Sequence, residues 1–182
     1  RDTPISQVTG PPIVSAGLRG ADSVMIAGGS VIADYWLMSR AEIKTAEQIK
    51  GGSVAVSTFG GQSDFVARIA LKRLGLTPVK DVVIVQIGTA SDRVTALETG
   101  KVRAAVLNPP DSFIGQKKGF YTLAYVSLPT QSTGVASTRR FIRESPDLVK
   151  RYVRSQIEAV HRIKTDREAG MRVLVKYLGA QD

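Results

Sequence analysis

Cysteine is absent from the 182 residues, which removes disulfides, thiolate nucleophiles and thiolate metal sites together. Its absence is compatible with any redox compartment. Histidine occurs once, at His161, so a Ser-His-Asp triad or a multi-histidine metal centre has too little material to draw on. His161 lies in a strongly basic helical stretch and reads as structural or solvent-facing. Long apolar runs are lacking as well, since none approaches the ~20 residues of a membrane helix. The opening Arg1-Asp2-Thr3-Pro4 reads as mid-fold rather than as a secretory leader. Phosphate-loop signatures are missing too. The Gly60-Gly61 turn is not followed by Gly-Lys-Ser/Thr and holds no Gly-x-Gly-x-x-Gly, so nucleotide hydrolysis and dinucleotide binding lack support. The carboxylates Asp64, Asp92, Glu98 and Asp111 are scattered at helix starts or faces. They read as caps and surface charges rather than as an acid/base pair. No nucleophile has a partner, so we expect no catalytic residue, no metal ligand and no cofactor.

Apolar residues make up 43% of the chain and charged ones 23%, which is a globular composition with enough material for a sizeable core. The formal net charge is +9. Its excess falls after Thr138, at positions such as Arg139, Arg143, Lys150, Arg154, Arg162 and Lys176. These basic residues alternate with the apolar stripe of amphipathic helices, so they read as a solvated face. Interleaved aromatics and nucleic-acid motifs are missing there, so nucleic acid is not an expected partner.

The chain is arranged around Ser53 to Gly75, SVAVSTFGGQSDFVARIALKRLG. Ser53 to Ser57 is a short β-branched strand, and apolar residues then take helical spacing at Val66, Ile69, Ala70 and Leu74, with Gly75 as the C′ glycine. Between them, Thr58 to Asp64 places two glycines and the free N–H groups of a helix start at one spot. Such a start carries partial positive charge and suits a small anion. The plain alternative is an ordinary strand-to-helix turn with Ser63 as N-cap.

The remaining pattern alternates strands and helices and predicts an α/β fold with mostly parallel sheet. Strands are expected at Ile5 to Val8, Ser23 to Ala27, Val31 to Met38, Val82 to Ile87, Arg103 to Leu107, Tyr121 to Val126 and Val135 to Ser137. Gly28-Gly29-Ser30 reads as a turn, Ser127 to Gly134 as a link, and Val82 to Ile87 as a strand buried on both faces. Helices are expected after Pro11-Pro12, over Thr45 to Lys50 with a Thr45/Gln48 capping box, over Thr89 to Glu98, and after Pro109-Pro110. Two more finish the chain. The first carries Leu148, Val149, Tyr152, Val153, Ile157 and Val160 on one apolar face; the second opens on a Thr165/Glu168 capping box and ends at Gly179.

One unit occurs twice. Strand, Thr9-Gly10-Pro11-Pro12, helix, glycine and strand over Ile5 to Ala27 is echoed by strand, Asn108-Pro109-Pro110, helix, glycine and strand over Arg103 to Val126. Two copies predict two similar lobes, and matching them leads us to expect about 50 residues upstream of Arg1 as the missing first part of the first lobe.

The runs IKTAEQIKGGSVAVSTFGGQSDFVARIALKRLGL, VVIVQIGTASDRVTALETGKVRAAVLNPP and GVASTRRFIRESPDLVKRYVRSQIEAVHRIKTDREAGMRVLVKYLG resemble solute-binding proteins of ABC transporters. The branch is that of nitrate, sulfonate, taurine and thiamine precursors, similar to the family named for a thiamine-pyrimidine synthase. The resemblance implies a type II periplasmic-binding fold, two α/β lobes joined by two crossing strands around a cleft. Residues 1–41 and 132–182 would form the first lobe and 42–131 the second, with Val31 to Met38 and Val135 to Ser137 flanking the crossovers. By position the cleft would use Thr9 and Gly10, then Thr58, Gly60, Gly61, Gln62 and Ser63, with Asn108 and Pro109. Tyr35, Trp36 and Phe59 are candidates for a ring-packing wall, with core packing as their ordinary role. The implied protein is a periplasmic or extracellular monomer that captures a small anionic or polar organic ligand and presents it to a membrane permease. A ligand-sensing domain of a receptor or regulator is the alternative on the same fold. The family's enzyme uses histidine and a cysteine-rich segment, which this composition does not match.

Overall fold

The computed structural model describes residues 3–178. In chain order the elements are β1 (Ile5–Val8), α1 (Gly10–Leu18), β2 (Ser23–Ser39), α2 (Ala46–Ile49), β3 (Ser53–Val56), α3 (Gln62–Arg73) and β4 (Val83–Gln86). They continue with α4 (Ala90–Glu98), β5 (Ala104–Leu107), α5 (Asp111–Lys117), β6 (Tyr121–Thr138), α6 (Arg139–Glu144), α7 (Pro146–Thr165) and α8 (Arg167–Leu178). The strands form one six-stranded sheet in the order β1-β6-β2-β5-β3-β4. Parallel pairing is confined to β3 with β4 and with β5, whereas β1–β6, β2–β6 and β2–β5 are antiparallel, so the sheet is mixed rather than mostly parallel.

The largest departure from expectation concerns β2 and β6. Gly28-Gly29-Ser30 is not a turn, and Ser127 to Gly134 is not a link. Both stretches lie inside long strands that pair from Ser23↔Thr138 to Ser39↔Tyr121 and cross from one half of the molecule to the other. The register shifts between Met25 and Ala27, Gly28 and Ser30, and Ser30 and Ile32. Polar residues complete the ladder at this crossing. Ser30 N–H donates to Thr133 Oγ1 at 3.0 Å, and Gln131 Nε2 donates to the Ser30 carbonyl at 3.1 Å. Glycine is required here by space, because a Cβ on Gly29 would stand 2.7 Å from Thr133 Oγ1. A glycine pair therefore marks bulged strand, not chain reversal.

The core lies mainly on the β3–β5 side of that crossing. Alternation sends Val54, Val56, Ala104 and Val106 to one face, against Val66, Ala67, Ala70 and Leu71 of α3. Ala55, Ala105 and Leu107 point to the other, against Val94 and Leu97 of α4. β4 is the last strand of the sheet and is not buried on both faces: Ile84 faces the core while Val83 is 55% exposed. A short apolar strand carries no mark of its place in the sheet, which is why the sequence misleads there.

The C-terminal helices form as expected, with α6 added before them. Thr138 caps α6, its Oγ1 accepting from Phe141 N–H at 3.0 Å. The cap at α8 is Asp166 rather than Thr165. Its Oδ1 accepts from Ala169 N–H at 2.9 Å, while the Thr165 hydroxyl bonds back to the His161 carbonyl. Gly179 lies outside the described residues. Of the apolar face of α7 only Val149 is fully buried; Ile157 is 64% exposed and Ile163 51%. A 20-residue helix is ~30 Å long, and three strands spaced ~4.8 Å apart leave part of it uncovered.

Candidate functional site

A cavity of about 680 Å³ opens where helix starts from both sides of the crossing meet. That volume falls within the ~300–1,000 Å³ of small-molecule sites. Thr9, Pro12, Ser15, Ala16 and Arg19 form the wall from α1, and Tyr35 comes from β2. Ser57, Thr58, Phe59, Gly60, Gly61, Gln62 and Ser63 supply the loop between β3 and α3. Gly88, Thr89, Ala90 and Arg93 come from the start of α4, and Asn108 from the end of β5.

The loop before α3 is shaped by its own side chains. Gly60 adopts φ 71°, which a residue with a Cβ takes only under strain. Asp64 turns back so that its Oδ2 accepts from Gly60 N–H at 2.8 Å and its Oδ1 from Arg68 Nε at 3.0 Å. Ser63 is not the N-cap. That position is Gly61, and the Ser63 hydroxyl instead accepts from Ser57 N–H at 2.8 Å and meets the Ser57 hydroxyl at 2.7 Å, tying helix to strand. With glycine as N-cap, no side chain caps the first-turn N–H groups of α3, and they remain for a ligand.

The start of α4 follows β4 through a glycine as α3 follows β3, but here a side chain caps the helix. Gly88 has φ 58°, and Thr89 caps the helix in a closed box with Asp92, whose Oδ2 accepts from the Thr89 hydroxyl at 2.6 Å. The carboxyl of Asp92 is held below its ordinary 3.8 by that hydroxyl and by the Thr89 N–H. One turn further, Arg93 is buried. Its Nε donates to the Val106 carbonyl at 3.0 Å and its Nη1 to the Gly88 carbonyl at 2.5 Å, so the guanidinium is gripped by two carbonyls and, among the described residues, salt-bridged to no carboxylate. Burial pulls its pKa below the usual guanidinium range, with Asp111, Tyr35 and Asp92 opposing. Burial likewise pushes the Tyr35 phenol above 10.0. Among the described residues the cavity wall holds two charged side chains, Arg19 and Arg93, and neither aspartate nor glutamate. Two cations and no carboxylate on the lining suit an anion better than a cation.

Of the residues expected from the sequence, Thr9, Thr58, Gly60, Gly61, Gln62, Ser63 and Asn108 are brought together on this wall. Gly10 and Pro109 are not. Gly10 is buried under the crossing, where a Cβ would stand 3.0 Å from the Gln131 carbonyl oxygen, and Pro109 is exposed beside Asn108. The first turn of α1 also offers less than expected, because Pro11 and Pro12 have no N–H to give. Trp36 packs on Phe113 and Tyr125 instead of lining the cavity, whereas Tyr35 and Phe59 do line it. The α4 contribution went unread. Two signals carry it: Gly88-Thr89 follows a strand as Gly60-Gly61 does, and Arg93 sits four residues before buried Leu97.

Several solved structures share this fold. The periplasmic aliphatic sulphonate-binding protein SsuA of Escherichia coli matches at TM-score 0.75 and 21% identity, over 97% of this chain and 62% of that one. The alkanesulfonate-binding protein SsuA of Xanthomonas axonopodis pv. citri, bound to MOPS, matches at 0.79 and 18%, over 97% and 62%. PhnD1 of Prochlorococcus marinus, in complex with methylphosphonate, matches at 0.66 and 12%, over 85% and 63%. The chain therefore spans less than two thirds of each. These likenesses establish the periplasmic-binding-protein fold. No curated protein matches the sequence. The NMT1-like family matches residues 30–179, and the chain belongs to that family.

Proposed function

We propose that this chain is the ligand-capturing part of an extracytoplasmic solute-binding protein that delivers a small organic anion, of the sulfonate or phosphonate kind, to an ABC permease. The observation that carries the reading is the cavity itself: uncapped N–H groups of α3, the start of α4 and buried Arg93 face one space whose wall has no carboxylate. The neighbouring binding proteins for sulphonates and methylphosphonate support the same ligand class. The binding residues are Thr9, Thr58, Gly60, Gly61, Gln62, Ser63 and Asn108 with Arg93 and Thr89, and Gly10 and Pro109 act as supports behind them. The protein works by binding rather than by turnover, as a monomer, without cofactor, metal or nucleic acid. His161 is exposed on α7 and forms no part of the cavity wall, which favours this reading over an enzyme.

The two lobes are the halves on either side of the crossing. Pairing of Trp36–Ser39 with β5 supports reading the first boundary at the bulges around Gly28–Ser30, ahead of the expected residue 41, with the second near Gln131. Ligand held by one half recruits the other, with the bulged crossing as the hinge.

Calorimetric titration of the purified protein with alkanesulfonates, methylphosphonate, nitrate and a hydroxymethylpyrimidine tests the reading. At least one anion is expected to bind and to raise Tm by mass action. Binding of the neutral pyrimidine alone, or of nothing, would overturn it.

A further inference from the structure

The cavity is longer than one anionic head group needs. Its wall follows a single face of α1 from the N-cap to the C-cap, through Thr9, Pro12, Ala16 and Arg19. That run extends ~15 Å along the helix, well beyond the reach of a lone sulfonate or phosphonate head. The two cations of the wall come from different halves of the molecule. Arg93, on α4, is tied to the strand that leads to Asn108 by its bond to the Val106 carbonyl, and its Nη2 takes part in neither of its two backbone bonds. Arg19 closes α1. Its side chain is exposed and, among the described residues, salt-bridged to no carboxylate. Asp22, only a turn of chain away, is committed to Arg139 and the Arg140 N–H, Asp64 to Gly60 and Arg68, and Asp92 to Thr89. Tyr35 and Phe59 add ring surface to the same lining, which suits a carbon chain.

We propose that Arg19 is a specificity-determining residue that selects organic dianions, with one anionic group held on the α3–α4 side near Arg93 and a second, carried on a short carbon chain, held by Arg19; the proposal rests on the anion-binding reading above. The argument is one of charge balance. A monoanion answers one of the two cations on the wall, and the lining has no carboxylate to answer the other. A carboxylate at the far end of the ligand answers it, because the guanidinium fork gives a carboxylate two parallel N–H bonds. Arg19 is exposed, so water and salt screen that pairing, and the gain is a few-fold rather than orders of magnitude. A ligand with a distal ammonium is disfavoured by the same lining.

Two ligand pairs test the proposal by calorimetric titration at neutral pH: 3-sulfopropanoate and 5-sulfopentanoate, each beside its carboxamide, which keeps the shape and removes only the second charge. In at least one pair the acid is expected to bind about fivefold more tightly than the amide, and the preference should shrink as salt is raised. In Arg19→Gln the two affinities should converge. Arg151→Gln removes the same charge from α7, away from the cavity wall, and should keep the preference. That control separates a contact at Arg19 from a general attraction of dianions to a chain of net charge +9. A preference for the acid that Arg19→Gln abolishes and Arg151→Gln preserves supports the proposal. Equal affinities in both pairs, tighter binding of the amides, or a preference that survives in Arg19→Gln overturns it. The Arg19 assignment alone then fails if the monoanionic amides still bind; if no anion binds, the anion-site reading fails with it.

Discussion

Arg93 concentrates the chemistry of this molecule in one side chain. It is a buried cation whose Nε and Nη1 are both spent on carbonyls, so its charge is uncompensated by any bonded carboxylate. Arg93→Met is expected to weaken binding of any anionic ligand by about tenfold or more. It should also lower the free energy of unfolding by ~1–3 kcal/mol, because the Val106 and Gly88 carbonyls lose their donor. Arg93→Lys keeps the charge without the fork that spans both carbonyls, so urea denaturation should show a partial loss. A matched glycine pair makes a second check. Gly10→Ala forces a Cβ to 3.0 Å from a backbone oxygen and should destabilise by ~1–3 kcal/mol, whereas Gly17→Ala, in open space on the same helix, should not. At the β3–α3 loop the sequence told more, since Gly60-Gly61 and the small hydroxyls mark a turn that lies on the cavity wall. It was silent on Arg93, because an arginine at helical spacing looks the same on a solvated face as on a buried one. Gly10 lies against Gln131 instead of on the cavity wall. A glycine permits close approach, but the pattern does not say whether a ligand or a neighbouring strand makes it.

At the level of the element, the start of α4 couples stability to the site. The Thr89/Asp92 box closes the helix beside Arg93, so Thr89→Ala is expected to cost about 1 kcal/mol in urea denaturation and to weaken ligand binding as well. The Asp92 carboxyl lies below its ordinary 3.8 in the folded protein, chiefly because the Thr89 hydroxyl donates to it. Its contribution is present above the unfolded value and disappears as pH falls through the lower folded one. Melting curves in acid should therefore show the parent losing stability over that window, and Asp92→Asn should show less of that loss. Capping signals of this kind were legible: the Thr45/Gln48 box forms as the spacing predicts. Where two caps competed, as Thr165 and Asp166 did, the nearer carboxylate won the N–H and the hydroxyl bonded backwards. Strand position was not legible, since β4 is as apolar as an inner strand and yet sits at the edge.

At the scale of the whole molecule, β2 and β6 are shared property of both halves. The closure proposed above would bend the sheet where its register already shifts, around Gly28 and Gln131. Small-angle scattering should accordingly report a smaller radius of gyration with a bound anion, and Gln131→Ala should alter that change more than it alters the ligand-free fold. The same crossing has a consequence for how the chain acquires its structure. β3 pairs with β4 and with β5 inside one contiguous stretch, from Ser53 to Leu107, whereas β1 pairs with Gly134–Ser137, more than 120 positions further along the sequence. Local pairings form sooner than distant ones, because less chain must be ordered to make them. A chain synthesised as far as Leu107 already holds all of β3, β4 and β5, while the pairing of Ile5–Val8 with β6 needs residues up to Ser137. Pulsed hydrogen exchange during refolding should find amides of Val54–Val56 protected before those of Ser6–Val8. Ile5–Val8 would then be secured after β3–β5, although it lies earlier in the chain.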